Sequence, residues 1–79
     1  MGQFFTYTVY HSESGKVVAK NLFEESLVLL INKMKNEDLV KGINLEYYMN
    51  TRGVVIDMSR LLDDIESQGV FIFKRKLHG

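Results

Sequence analysis

Residues 21–36, NLFEESLVLLINKMKN, form the longest helix that the sequence predicts, and the other elements can be placed around it. Its apolar residues recur at the spacing of a single helix face. They are Phe23, Leu27, Leu30, Ile31 and Met34. Asn21 is a suitable N-cap, and Glu24 follows three positions later, as a capping box requires. The apolar stripe needs a surface to pack on, and the flanking residues predict a β-sheet.

The residues before this helix predict a β-hairpin. Gln3–His11, QFFTYTVYH, is rich in aromatic and β-branched residues, which favour strands. Alternation along this strand assigns one set of side chains to the core: Phe5, Tyr7 and Val9. Residues 12–15 predict a turn, and Lys16–Lys20 predicts the second strand of the hairpin.

The residues after the helix predict a second hairpin followed by a second helix. Ile43–Asn50, INLEYYMN, alternates between apolar and polar residues, as a strand with one buried face does. Residues 54–56 follow a short turn and predict its partner strand. Asp57 or Ser59 can then cap a helix that ends before a glycine. The apolar stripe of this second helix is Met58, Leu61, Leu62 and Ile65.

The last predicted strand, Val70–Lys76, completes an α+β fold. Its first residues are apolar on both faces, which is typical of a central strand. The predicted order is ββα-ββα-β, a single antiparallel sheet of about five strands with two helices on one face. If Lys16–Lys20 is only a lead-in to the helix, the pattern becomes a split βαβ, ferredoxin-like fold.

Composition bounds the kind of protein. The 79 residues predict one small α+β domain spanning residues 1–79. Ten basic residues balance ten acidic ones, which argues against a DNA-binding field spread over the whole molecule. Cysteine is absent, and the first residues do not resemble a signal peptide, so we expect a cytoplasmic protein without a membrane partner.

No set of residues predicts catalysis, a cofactor or a metal site. The two histidines, His11 and His78, lie near opposite ends of the chain; we expect His11 at a half-exposed strand end and His78 on a frayed tail. The densest acidic group, residues 57–66, lacks metal-ligand spacing and predicts a solvated helix face. The sequence therefore predicts a protein that is not an enzyme. One alternative is an enzyme whose site is shared between chains, with Asp57 or His11 contributed by different copies.

An aromatic and basic stretch suggests another alternative, a single-stranded nucleic-acid-binding or transcription-regulatory module. Aromatic rings beside positive charges are how such modules hold nucleic acid. The residues concerned are Phe71, Phe73, Lys74, Arg75 and Lys76. The more ordinary interpretation places both phenylalanines in the core and the basic residues at a solvated strand end.

The predicted functional surface is the sheet face that the two helices leave open. On the predicted strand phases it carries seven partner-binding residues, together with Thr6 and Thr8. The seven are Phe4, Tyr10, Val18, Tyr48, Val55, Phe71 and Phe73. A monomer seldom exposes so large an apolar patch, so we expect a protein-binding module, a regulator, adaptor or inhibitor, that forms a homodimer. A phase shifted by one residue in the last strand would instead bury Phe71 and Phe73.

Overall fold

The computed structural model describes residues 2–79 as an α+β fold. In chain order its elements are β1 (Phe4–His11), β2 (Val17–Leu22), α1 (Glu24–Asn36), a 3₁₀ helix (Leu45–Tyr48), α2 (Met58–Glu66) and β3 (Phe71–His78). A single antiparallel sheet of three strands, in the order β2-β1-β3, lies beside the two α-helices. The mixed α+β class is confirmed, whereas the prediction of about five strands was too high.

Strand β1, and not β3, is the centre of the sheet. It pairs with β3 without interruption, from Phe4 opposite His78 to His11 opposite Phe71. Since β2 and β3 both run antiparallel to β1, they are parallel to each other, and the helices connect them across it. This is a split βαβ connection, although the sheet lacks the fourth strand of a ferredoxin-like fold.

Helix α1 begins without the predicted cap. Its N-cap is Phe23, which makes no side-chain hydrogen bond to the helix. Asn21 instead has a φ of 55°, in a β-bulge of β2, where its N–H lies 3.3 Å from the Thr8 hydroxyl oxygen. The helix ends at Asn36 because Asp38 has a left-handed φ of 59° and the Leu39 N–H donates to the Met34 carbonyl.

The predicted strand Ile43–Asn50 was wrong. Residues 45–48 form the 3₁₀ helix, and the Asn44 side chain caps it by accepting from the Glu46 N–H at 3.1 Å. Ile43, Leu45 and Tyr48 are buried, a spacing that a strand alternating at every second residue does not give. In residues 2–79 the second hairpin is reduced to one β-bridge, between Met49 and Val55.

Helix α2 follows its sequence prediction closely. Asp57 is the N-cap, accepting from the Arg60 N–H at 3.4 Å, so Ser59 lies inside the helix. All four residues of the predicted stripe are buried: Met58, Leu61, Leu62 and Ile65. Gly69, with a φ of 79°, then allows the chain to turn into β3.

The core lies between the helices and one face of the sheet, which we call the covered face. Its most deeply buried members are Tyr7 and Val9 from β1, Phe71 from β3, Leu27, Ile31 and Met34 from α1, and Leu61 and Ile65 from α2. Phe73 is partly buried against the same core. The predicted phase of the last strand was therefore wrong by one residue, because pairing with β1 sets Phe71 opposite His11 and Phe73 opposite Val9.

Candidate binding site: the open face of the sheet

The side of β1 and β3 away from the core forms a continuous surface, which we call the open face. Directly opposed residues of paired strands share a face. The opposed pairs on this side are Phe4 with His78, Thr6 with Lys76, Thr8 with Lys74, and Tyr10 with Ile72. Val17 of β2 stands opposite Tyr10 and extends the surface. The open face thus mixes aromatic, aliphatic and hydroxyl groups with two lysines.

One end of the open face is built around His78, which was expected on a frayed tail but lies within β3. Its ring stacks on Phe4 with centroids 4.9 Å apart and planes 8° apart. Its Nε2 shares a hydrogen bond of 2.8 Å with the hydroxyl of Thr6, a side chain that is only 5% exposed. The ring centroid of Phe23, just before α1, lies 5.8 Å from that of Phe4. These contacts pack an exposed phenylalanine ring against two neighbouring rings.

The middle of the open face combines positive charge with a ring. The Lys74 ammonium lies 5.3 Å from the centroid of the Tyr10 ring, within range of a cation–π interaction. Lys76, two residues farther along β3 than Lys74, is also exposed. Arg75 points to the covered side, where its guanidinium lies 4.4 Å from the Phe5 ring. The basic run is therefore divided between the two faces.

The total charge of the protein is balanced, but its basic and acidic residues are distributed unevenly between the strands and the rest of the chain. The three strands contain four basic residues, Lys20, Lys74, Arg75 and Lys76, and no acidic residue. The rest of the chain contains six basic and ten acidic residues. The strands therefore carry a net charge of +4 and the remainder −4, so the sheet presents positive potential while the helices and loops are acidic.

Five of the seven predicted partner-binding residues lie elsewhere than on the open face. Phe71 and Phe73 belong to the covered face. Tyr48 is buried in the 3₁₀ helix, and Val55 is partly buried in the bridge to Met49, so neither is part of the sheet. Val18 falls in a bulge of β2 and lines a depression with Leu30 of α1. Phe4 and Tyr10 remain, because β1 was assigned the correct phase.

Sequence reasoning missed Val17, Ile72 and His78 as members of the open face. A usable signal was present, since the predicted strands contain five basic residues (Lys16, Lys20, Lys74, Arg75 and Lys76) and one acidic residue, Glu46. Charges counted by segment, rather than by half of the chain, would have indicated a basic sheet. The phase of β3 was hidden because apolar residues occupy both of its faces at the start.

Two tyrosines have altered acid–base behaviour, and both support structure. Burial raises the pKa of Tyr7, with a further contribution from the Glu24 carboxylate. The hydrogen bond that Tyr48 donates to the Asp64 carboxylate raises the pKa of Tyr48. Both phenols are held neutral, so neither is activated as a nucleophile.

A second exposed apolar area lies on the helical side. Leu29 of α1 is 71% exposed, and it lines a groove with Val28, Val54 and Val55. Glu24 and Glu25 border this groove, so its charge is opposite in sign to that of the open face.

Searches of wider scope add no further clue to function. Across residues 2–79, no group of three or more His, Cys, Asp or Glu side chains is placed to hold a metal ion. No helix in the described chain has the length and apolar character needed to span a bilayer. Comparisons with protein-family models, curated proteins and solved structures find no significant match.

Proposed function

We propose that this protein is a cofactor-free binding module that docks the open face of its sheet on an acidic surface of a protein partner. The observation that carries this proposal is an open sheet face with an exposed Phe4 ring, a partly exposed Tyr10 ring, two lysines and no acidic residue. Complementary charge speeds encounter and selects the partner, while rings held on a sheet bury area at little cost in entropy. A regulator, adaptor or inhibitor uses such a surface without performing chemistry.

The ordered end of the open face supports a docking role. Phe4 is 47% exposed, yet it is held between the rings of His78 and Phe23. A partner that covers it does not have to immobilise a flexible side chain, so less of the binding free energy is lost. Lys74 is similarly placed over Tyr10.

Because the open face is positively charged, it is less suited to bind a second copy of the chain than to bind a different protein. Packing two copies face to face would bring Lys74 and Lys76 of each copy toward a surface that has no acidic residue. Like charges brought together at an interface cost free energy. Homodimerisation, like the cytoplasmic location, remains a prediction of the sequence, and sedimentation velocity at low and high salt tests the dimer.

Single-stranded nucleic acid is the second candidate, and a specific observation favours it. Lys74 beside Tyr10, and Phe4 stacked with His78, place positive charge next to rings on an open sheet. Bases stack on such rings while lysines neutralise phosphates. The rings differ from those first predicted, because Phe71 and Phe73 face the core. The enzyme with a site shared between chains gains no supporting observation and remains a prediction.

Two labelled probes, polyglutamate and a thymidine oligonucleotide, separate the candidates in a fluorescence anisotropy titration. Lys74→Gln with Lys76→Gln tests the charge, and Lys33→Gln with Lys35→Gln on α1 is the matched control. We expect only the first pair to weaken polyglutamate binding. If the oligonucleotide binds more tightly and its affinity falls steeply between about 50 and 200 mM salt, the second candidate is correct.

The rings are tested separately from the charges. The double variant Phe4→Ser with Tyr10→Ser should weaken binding to the preferred probe, whereas Leu29→Ser, which removes an exposed leucine from the opposite side, should not. Equal binding by all of these variants, or binding to neither probe, would contradict the proposal that the open face is the binding site.

A further inference from the structure

The two edges of the sheet differ in how well they could accept another strand. The pairing of β2 with β1 is interrupted twice by β-bulges, between Tyr7 and Val9 and between Val9 and Tyr10. Bulged edges are poor templates for strand addition. Strand β3 is regular over its eight residues and forms the opposite edge.

The hydrogen-bond pattern fixes which backbone groups of β3 point away from the sheet. The Ser12 N–H donates to the Val70 carbonyl, in line with the register of β1 and β3. Hydrogen-bonded pairs alternate along an antiparallel ladder, so the even-numbered residues of β3 bond to β1. The N–H and C=O groups of Phe71, Phe73, Arg75 and Leu77 therefore face outward.

One of these outward donors is already occupied by a carboxylate. The Phe73 N–H donates to Oε1 of Glu66, at the end of α2, over 2.8 Å. Glu66 thus takes the place that the carbonyl of a neighbouring strand would occupy. Farther along, Arg75 and Leu77 are exposed, and within residues 2–79 no acceptor is bonded to either N–H. The edge is protected in its first half and accessible in its second.

From these observations we infer that an extended acidic segment of a protein partner adds to this edge as a fourth strand, beside residues 75–78. Two N–H groups spaced two residues apart match the donor spacing that an added strand requires. The flanking side chains are Lys74 and Lys76 on the open face and Arg75 on the covered face. Acidic residues at alternate positions of the added strand share one face, and on the open face they would lie opposite Lys74 and Lys76.

A second copy of β3 fits this edge poorly, because it would bring the same basic run alongside itself. Like charges directly opposed on neighbouring strands are destabilising, and basic residues on an edge are a known defence against self-pairing. The occupant is therefore a different, acidic chain. Strand addition at this edge uses the backbone of β3 and does not require the rings of the open face.

The direct test is an anisotropy titration of the full chain with a labelled octapeptide of alternating glutamate and valine. An octapeptide of alternating lysine and valine is the charge control. The variant Leu77→Pro removes one outward N–H and leaves the bonds to β1 intact, while Leu77→Ala keeps that donor. We expect Leu77→Pro to weaken acidic-peptide binding roughly tenfold and Leu77→Ala to change it by about twofold at most.

Amide hydrogen exchange in the wild-type chain provides a readout that does not depend on how the proline variant folds. The acidic peptide should slow exchange at the Arg75 and Leu77 amides, because a strand placed there accepts from both. Unchanged exchange at these two amides under saturating peptide would overturn the inference. So would peptide binding that is lost in Phe4→Ser with Tyr10→Ser but kept in Leu77→Pro, since the open face alone would then hold the peptide. Loss in Leu77→Pro with the ring variant unaffected supports the edge, whatever the outcome for the proposed function.

Discussion

The two faces of the sheet are built from the same two strands, yet they differ in how far their side chains are buried. On the covered face Val9 is completely buried and Phe71 is 1% exposed, whereas on the open face Phe4 is 47% and Ile72 39% exposed. Both faces carry aromatic and β-branched residues. The difference therefore lies in what covers them, namely two helices on one side and, among the described residues, no secondary-structure element on the other. Residues of similar type are thus buried in the core on one face and more exposed to solvent on the other.

Among substitutions on the two faces, we expect the largest loss of stability at Phe71. Replacing Phe71 with alanine removes a fully buried ring from the core, and should destabilise the fold by about 3–5 kcal/mol. Small domains have total stabilities of only about 5–15 kcal/mol, so this loss is a large share of the total. Urea denaturation followed by circular dichroism measures the change.

Ile72 is the control, because it is the next residue in the same strand and faces the opposite way. Ile72→Ala leaves the core intact and should cost about 1 kcal/mol, within the usual range for a partly exposed position. Equal losses for the two variants would mean that the faces are not distinct in the way the register indicates.

Elements whose signals are local could be predicted from the sequence. Helix α2 has a capping aspartate, a complete stripe and a terminal glycine within a short span, so its residues determine its form with little outside help. Strand β1 alternates clearly over eight residues, which placed Tyr7 and Val9 in the core and Phe4 and Tyr10 outside it.

Elements that depend on distant partners could not be predicted. Residues 43–50 alternate as a strand does, but Ile43, Leu45 and Tyr48 fit the core only through a 3₁₀ turn. The start of β3 is apolar on both faces, so only its pairing with β1 determines that Phe71 is inside. Asn21 resembles a helix cap in sequence, yet the bulge of β2 uses its left-handed conformation.

Prediction of the candidate site was limited in the same way, by its dependence on pairing between distant parts of the chain. Phe4 and Tyr10 were correctly placed because the alternation of residues along β1 is enough to assign its two faces. Ile72 and His78 were missed because their positions follow from the register of β3, a long-range property. The basic character of the sheet became visible only when the charges were assigned to elements.

A smaller effect, limited to alkaline pH, is expected from Tyr7 on the covered face. Burial raises its pKa above the ordinary value of about 10. The unfolded chain then loses this proton at a lower pH than the folded chain does. The stabilising contribution is complete below about pH 10 and is lost as the pH rises through the pKa of the folded state.

The variant Tyr7→Phe should therefore show a weaker loss of stability above about pH 10 than the wild type. The loss should not vanish, because the pKa of Tyr48 is raised as well. In Tyr10→Phe, on the open face, Tyr7 is retained and its alkaline loss should persist. Unfolding free energies measured from neutral pH to about pH 11 provide the test, and an unchanged profile in Tyr7→Phe would contradict the assignment.

The hydrogen bond between Thr6 and His78 is the contact on the open face that we expect to contribute most to stability. Thr6→Val keeps the shape of the side chain but removes the hydroxyl, and should destabilise the fold by about 1 kcal/mol. His78→Phe retains a ring that can stack on Phe4 while removing the same bond. In the double variant the two losses should not add if this bond is their common cause. Simple additivity would instead attribute them to separate contacts.

The smallest effect on stability is expected at Lys76, and it separates binding from folding. Its side chain is exposed on the open face, opposite Thr6, in strands that contain no acidic residue to pair with. Lys76→Gln should change stability by less than about 0.5 kcal/mol, as exposed substitutions usually do. It also removes positive charge from the surface proposed to meet an acidic partner, so polyglutamate affinity should fall while the urea midpoint stays constant. Lys33→Gln on α1 removes the same charge from the helical side and should leave that affinity unchanged. If the two variants weaken binding equally, the total charge of the molecule attracts the probe, and the open face has no special part in it.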